Sequence, residues 1–120
     1  MNNRILIVDD EPGILLGIEY ILGDEKYEII KASNGSEAWK KIIEYKPDII
    51  LLDINMPPGG INEGIVLCKK IKSNPVVSEI PVIMLTVKSD KETGLKAGAS
   101  DYITKPFNAD ELLQKIRNLL

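Results

Sequence analysis

Pro47-Asp48-Ile49-Ile50-Leu51-Leu52-Asp53 is the stretch that decides the fold. Its centre is aliphatic throughout, so the strand from Asp48 to Asp53 is apolar on both faces. A half-exposed strand alternates; one that is apolar on both sides belongs inside a sheet covered by helices front and back. The run stops at a carboxylate, and similar polar stops recur. Arg4-Ile5-Leu6-Ile7-Val8 ends in Asp9-Asp10, Pro81-Val82-Ile83-Met84-Leu85 in Thr86, and Asp101-Tyr102-Ile103-Thr104 in Lys105-Pro106. In an open parallel sheet the carboxyl ends of the strands form the ligand-binding edge. These stops therefore meet in one crevice. Three carboxylates, a hydroxyl and an ammonium suit a divalent cation and a phosphoryl group far better than a core.

Helical stripes alternate with the strands. Ile14, Leu15, Ile18, Ile21 and Leu22 form the first, with Pro12 in its first turn and Gly23 at its end. Tyr27 to Ala32 reads as a second strand. Asn34-Gly35-Ser36 then opens a helix with Ala38, Trp39, Ile42 and Ile43 inward, stopped by Pro47. A third helix turns Leu67, Cys68 and Ile71 inward and Lys69, Lys70 and Lys72 toward solvent. The fourth strand runs from about Ile80. Lys88 to Gly98 predicts a fourth helix, polar enough to be weakly anchored. The last opens on the capping pair Asn108 and Glu111 and buries Leu112, Leu113, Ile116, Leu119 and Leu120. Five strands alternating with five helices predict a doubly wound α/β sandwich, residues 1–120 as one domain; strand order is left open.

Composition sets bounds. The chain has 120 residues, 44% hydrophobic and 28% charged, which is ordinary for a globular domain. A net charge of −3 gives no reason to expect direct nucleic-acid contact. No apolar run approaches the roughly 18 residues that span a bilayer, and strand one starts too early to leave room for a signal peptide. One cysteine, Cys68, and no histidine exclude an internal disulfide and His-based chemistry. These features predict a cytoplasmic protein without a membrane partner.

Each candidate has a structural alternative. Asp9 and Asp10 could cap a helix; beside a third carboxylate they repel unless a cation neutralises them, and oxygen-only ligands select a hard ion such as Mg²⁺. Asp53 is a cap or a nucleophile toward phosphorus. Thr86 is a β-branched strand end or a donor to a phosphoryl oxygen. Lys105 is a solvated lysine or a point charge in the crevice. Cys68 and Trp39 read as packing, and the lysines of the third helix as a solvated face.

Ile7-Val8-Asp9-Asp10-Glu11, Leu51-Leu52-Asp53-Ile54-Asn55-Met56-Pro57, Met84-Leu85-Thr86 and Asp101-Tyr102-Ile103-Thr104-Lys105-Pro106-Phe107 together resemble the receiver domain of bacterial two-component response regulators. The resemblance spans nearly the whole chain. It implies a flavodoxin-like sheet in order 2-1-3-4-5. It implies that Asp53 takes a phosphoryl group from a sensor histidine kinase or phosphotransfer protein. Asp9, Asp10, Asp53 and the carbonyl of Asn55 would hold Mg²⁺. Lys105, before a cis peptide to Pro106, would pair with the phosphoryl group. Thr86 would move toward that group and Tyr102 would turn inward behind it. The surface of the fourth helix, fifth strand and last helix would then change toward an output domain or downstream protein, or toward a second copy of the chain. By the same resemblance the domain is a phosphoacceptor, not an enzyme with external turnover; self-catalysed phosphotransfer and slow autodephosphorylation are all it would perform.

Two places depart from the family pattern. Gly64 comes about three residues late, after Pro58-Gly59-Gly60-Ile61-Asn62-Glu63, which reads as an insertion: either a tolerated surface loop or one that alters kinase docking or shields the phosphoryl group. Val87 replaces the usual small residue after the switch threonine and would restrict access to the phosphoryl site. A rival of another class is a metal-dependent phosphohydrolase of the haloacid-dehalogenase kind. Asn55 stands where such an enzyme has its general acid, and 120 residues leave no cap domain. A receiver-like module that is never phosphorylated is a third reading, disfavoured because every chemical position is filled. The end at Leu119-Leu120 suggests either a stand-alone receiver or a piece cut before an output domain, with the cut favoured.

Overall fold

The computed structural model describes residues 3–23, 27–54, 63–86 and 95–120. In chain order the elements are β1 (Asn3–Val8), α1 (Pro12–Leu22), β2 (Tyr27–Ala32), α2 (Gly35–Tyr45), β3 (Ile49–Asp53), α3 (Glu63–Ser73), β4 (Val82–Thr86), β5 (Asp101–Thr104) and α4 (Ala109–Leu119). The strands form one parallel sheet in the order β2-β1-β3-β4-β5. Four helices are present among the described residues. The helix expected over Lys88 to Gly98 falls mostly outside them; its end is described, closing with Gly98 N–H donating to Leu95 O at 3.0 Å.

Strand alternation divides the core into two layers. Leu6, Val8, Ile50, Leu52, Val82 and Met84 face one way, against Ala38 and Ile42 of α2 and Leu67, Cys68 and Ile71 of α3. Ile5, Ile7, Ile49, Leu51, Ile83, Leu85 and Ile103 face the other way, against Ile18 and Leu22 of α1 and Leu112 and Ile116 of α4. Every residue of β3 is buried, as its two-sided apolar reading requires.

Local chemistry sets the helix ends. Asn34 Oδ1 accepts from Glu37 N–H at 2.8 Å, and Asn108 Oδ1 accepts from Glu111 N–H at 2.7 Å. α2 stops at Tyr45, where Lys46 turns left-handed at φ 46 and donates its N–H to Ile42 O at 2.9 Å; Pro47 beside it disfavours a continued right-handed helix. Gly64 is required where α3 meets β3. A Cβ there would lie 2.2 Å from Asp53 O and 2.6 Å from Ile54 Cα. Gly64 N–H also donates to Ile54 O at 2.9 Å, pinning the start of α3 to the end of β3 across residues 55–62. The sequence-based insertion lies almost entirely in that span, outside the described residues, yet Gly64 still docks on β3.

Some side chains differ from their sequence reading. Ile43 is 39% exposed, because α2 faces the sheet through Ala38 and Ile42. Leu120 is likewise exposed. Lys72 is not solvated: its ammonium donates to Ser78 O at 3.1 Å and Ile80 O at 2.6 Å, supporting the turn before β4. Burial lowers its pKa, with the partly opposing influence of Cys68 beside it.

Candidate functional site

Register assembles the crevice. Val8 pairs with Leu52, so Asp9 and Asp53 occupy neighbouring positions at the ends of β1 and β3. Asp53 pairs with Leu85, and Thr86 follows it. Thr86 pairs with Thr104, and Lys105 follows in turn. Lys105 N–H donates to Thr86 O at 2.7 Å, holding the β5 exit against the β4 end. The Lys105–Pro106 peptide is cis.

The carboxylates are gathered and largely dry. Asp9 and Asp53 are buried and Asp10 is half-buried; one oxygen from each lies within 4.8 Å of the others. Helix capping does not explain them. α1 begins at Pro12 with Glu11 as its N-cap residue and no side-chain cap, while Asp9 Oδ1 accepts from Glu11 N–H at 3.0 Å, ahead of the helix. Asp53 closes β3, and the described part of α3 begins at Glu63, ten residues further on. Three oxygens in this arrangement match the donor chemistry of a hard divalent ion.

Lys105 bridges two of the three carboxylates. Its Nζ is 3.0 Å from Asp9 Oδ2 and 3.4 Å from Asp53 Oδ2, and its side chain is only 19% exposed. Burial alone would lower its pKa, but the hydrogen bond to Asp9 and the charges of Asp53 and Asp9 outweigh it, so the ammonium is held above the ordinary lysine value. Thr86 is buried at the end of β4. Asn55 and Val87, the expected carbonyl ligand and access residue, lie outside the described residues.

Residues 5–117 match the family model described as the response regulator receiver domain. The chain belongs to the response regulator receiver family. It is 41% identical, over its whole length, to the alkaline phosphatase synthesis transcriptional regulatory protein PhoP of Bacillus subtilis, covering 49% of that protein. It is also 41% identical, again over its whole length, to the phosphate regulon transcriptional regulatory protein PhoB of Pseudomonas aeruginosa, covering 52% of it. The chain thus spans about half the length of these curated relatives. Among solved structures, the chemotaxis response regulator CheY4 of Vibrio cholerae superposes with a TM-score of 0.90 at 30% identity, each chain covered in full. The receiver domain of NtrX from Brucella abortus gives 0.85 at 34% identity, covering 97% of each chain. The flavodoxin-like strand order implied by the resemblance is the one observed.

Around the crevice, two charged side chains make contacts that the strand stops do not reveal. Glu63, first in α3, accepts from Gly35 N–H at 2.8 Å, tying the start of α3 to the start of α2. Lys115 of α4 reaches the edge strand β5, where it meets Asp101 and Tyr102. A glutamate opening a helix and a lysine on a polar helix face carry no signal by themselves. Trp39 is half-buried beneath Lys70, whose ammonium stands 4.3 Å from the ring centroid, and the two line a groove of about 300 Å³ between α2 and α3.

Proposed function

We propose that this receiver domain accepts a phosphoryl group on Asp53 from a phosphohistidine of a sensor kinase or phosphotransfer protein, and signals by changing its β5–α4 face. The observation that carries this reading is the three-carboxylate cluster with the Lys105 ammonium bridging Asp9 and Asp53, in a chain of the receiver family.

In the transfer, a carboxylate oxygen of Asp53 forms a bond to phosphorus as the phosphorus–nitrogen bond to the donor imidazole breaks. Asp9, Asp10, Asp53 and the carbonyl of Asn55 would hold Mg²⁺, which supplies charge neutralisation and in-line alignment of the incoming anion. Lys105 exchanges part of its contact with Asp53 for a phosphoryl oxygen. The Thr86 hydroxyl donates to another, and Tyr102 turns into the space Thr86 leaves. Membership of a signalling-domain family supports a phosphoacceptor that performs only its own phosphorylation and slow hydrolysis.

The rim where α1 begins offers a donor one approach to the carboxylates. That helix offers Leu16 and Tyr20, 61% and 86% exposed, on the face where Gly13 and Gly17 leave open space, which supports docking of a helical donor there. The curated relatives are named as transcriptional regulatory proteins. By analogy the output is a further domain or protein that carries any DNA contact, reached directly or through a phosphorylation-dependent homodimer. No helix among the described residues is long and apolar enough to cross a membrane, and the proposed location is the cytoplasm.

Intact mass after incubation with acetyl phosphate, with and without Mg²⁺, tests the chemistry. A single Mg²⁺-dependent, hydroxylamine-labile phosphoryl adduct that disappears in Asp53→Asn is the expected result. An adduct that persists in Asp53→Asn would overturn the assignment.

A further inference from the structure

β5 is the outermost strand of the sheet, so the backbone groups on its outer side have no neighbouring strand to bond. At Tyr102 side chains fill that role. Tyr102 N–H donates to Asp101 Oδ1 at 2.8 Å. Its carbonyl accepts from Lys115 Nζ, whose ammonium also lies 3.3 Å from Asp101 Oδ1. The same ammonium stands 4.7 Å from the centroid of the Tyr102 ring. One cation therefore contacts the carbonyl, the ring and the adjacent carboxylate.

The contact crosses the sheet edge. Tyr102 packs on the layer holding α2 and α3, whereas α4 covers the opposite layer. Lys115 reaches from α4 around β5, its aliphatic stem spanning the edge and its charge closing over the ring. We propose that Lys115 is a positioning residue for the receiver switch: by gripping the Tyr102 carbonyl and ring together, it holds the ring in its present place and opposes its inward turn. Lys115 belongs to the far side of β5 from the carboxylates and touches none of Asp9, Asp53 or Lys105 in the contacts above, so it acts through Tyr102. The inference rests on the proposed role of Tyr102 as the switch aromatic. The backbone bond fixes the pivot while the cation–ring attraction is lost on rotation, so the latch biases the two ring positions against each other.

The test is NMR of the full chain with ¹³C-labelled tyrosine rings, the Tyr102 signal being assigned among the four tyrosines by Tyr102→Phe. Beryllofluoride with Mg²⁺ serves as the acyl-phosphate mimic. In the unsubstituted protein the Tyr102 signal moves from one position to another as the mimic binds. Lys115→Met and Lys115→Gln are expected to move the signal toward the bound position before any mimic is added. They should also lower the beryllofluoride midpoint by about five-fold, the magnitude of one lost exposed cation–π contact. Lys115→Arg, which keeps the cation, should match the unsubstituted protein. Lys115→Gln retains a donor for the Tyr102 carbonyl, so it guards against a fold defect in the methionine variant. Folded variants whose Tyr102 signal and midpoint equal those of the unsubstituted protein would overturn the latch alone. A Tyr102 signal that ignores the mimic in the unsubstituted protein, while the Thr86 amide responds, would overturn both the latch and the switch role of Tyr102.

Discussion

Lys105 Nζ sits 3.0 Å from Asp9 Oδ2, closer than to the proposed phosphoacceptor, whose Oδ2 is 3.4 Å away. Asp9 is fully buried, so this ammonium is its principal counter-charge in the metal-free protein. On the proposed reading, lysine and metal would be rivals for one carboxylate. A cation entering among Asp9, Asp10 and Asp53 would weaken the hold on Lys105 and free it to meet a phosphoryl oxygen.

That rivalry gives a first prediction. Lys105→Met leaves Asp9 buried without its partner, a change that typically costs about 3–5 kcal/mol. Mg²⁺ should restore much of the loss, since it supplies the missing charge. Thermal melts of the variant with and without Mg²⁺ are expected to differ by several degrees more than those of the unsubstituted protein. Calorimetry should show tighter Mg²⁺ binding in the variant, even as phosphorylation of Asp53 falls. Equal Mg²⁺ responses in both proteins would show that lysine and metal do not compete.

The same ion pair fixes the sign of a pH effect. The pKa of Lys105 is raised in the folded chain, the hydrogen bond and charges of Asp9 and Asp53 prevailing over burial. Its contribution to stability is therefore complete below the unfolded lysine value of about 10.4. Above that value the unfolded chain has shed the proton while the folded chain keeps it, so stability falls with rising pH until the folded group also titrates. Urea midpoints of the unsubstituted protein and Lys105→Met, compared without Mg²⁺, should stay a constant distance apart from about pH 8 to about pH 10 and converge above it. A gap that widens at high pH would reverse the sign.

Val87 follows the buried strand end Thr86. Val87 itself lies outside the described residues; the receiver resemblance implies that a branched side chain at this position would restrict the approach to phosphorus for a small donor and for water alike. Val87→Ala is expected to speed phosphorylation by acetyl phosphate and hydrolysis of the product, each by about ten-fold, equivalent to about 1.4 kcal/mol of barrier. Single-turnover mass spectrometry measures both rates. Acceleration of the kinase-dependent reaction alone would point to docking instead of access.

Much of this site was legible because strand ends announce themselves. Asp9, Asp53, Thr86 and Lys105 each follow an apolar run, and parallel register carries the four stops to one edge. The two-sided apolar reading of β3 likewise gave the helical layers on both faces. Lysines whose stems lie along the fold were not legible. Lys72 and Lys115 occupy ordinary polar helix positions, yet both end on carbonyls that only the tertiary structure brings within reach. Periodicity assigns a long cationic side chain to a face; it does not say where its ammonium arrives. Ile43 fails for a related reason, since the helical pattern gives α2 a wider apolar stripe than the sheet covers.

Two glycines of similar appearance in the sequence should behave oppositely. At Gly64 an added Cβ would meet backbone atoms of Asp53 and Ile54 at 2.2 to 2.8 Å, and backbone cannot swing aside as a side chain can. Gly64→Ala must push the start of α3 off the strand that carries Asp53, stretching the bond to Ile54 O. Overpacking of this kind costs about 1–3 kcal/mol, and the displaced carboxylate should slow phosphotransfer by at least about ten-fold, since misplacement of about 1 Å is costly to an in-line reaction. Gly17 lies inside α1 with nothing within 4 Å of an added Cβ. Gly17→Ala should stabilise the protein by about 0.5–1 kcal/mol through helix propensity and leave acetyl phosphate reactivity unchanged. Urea denaturation and adduct formation measured on the two variants decide the matter. If Gly64→Ala were as stable and reactive as Gly17→Ala, the close approach of α3 to Asp53 would not be what positions the phosphoacceptor.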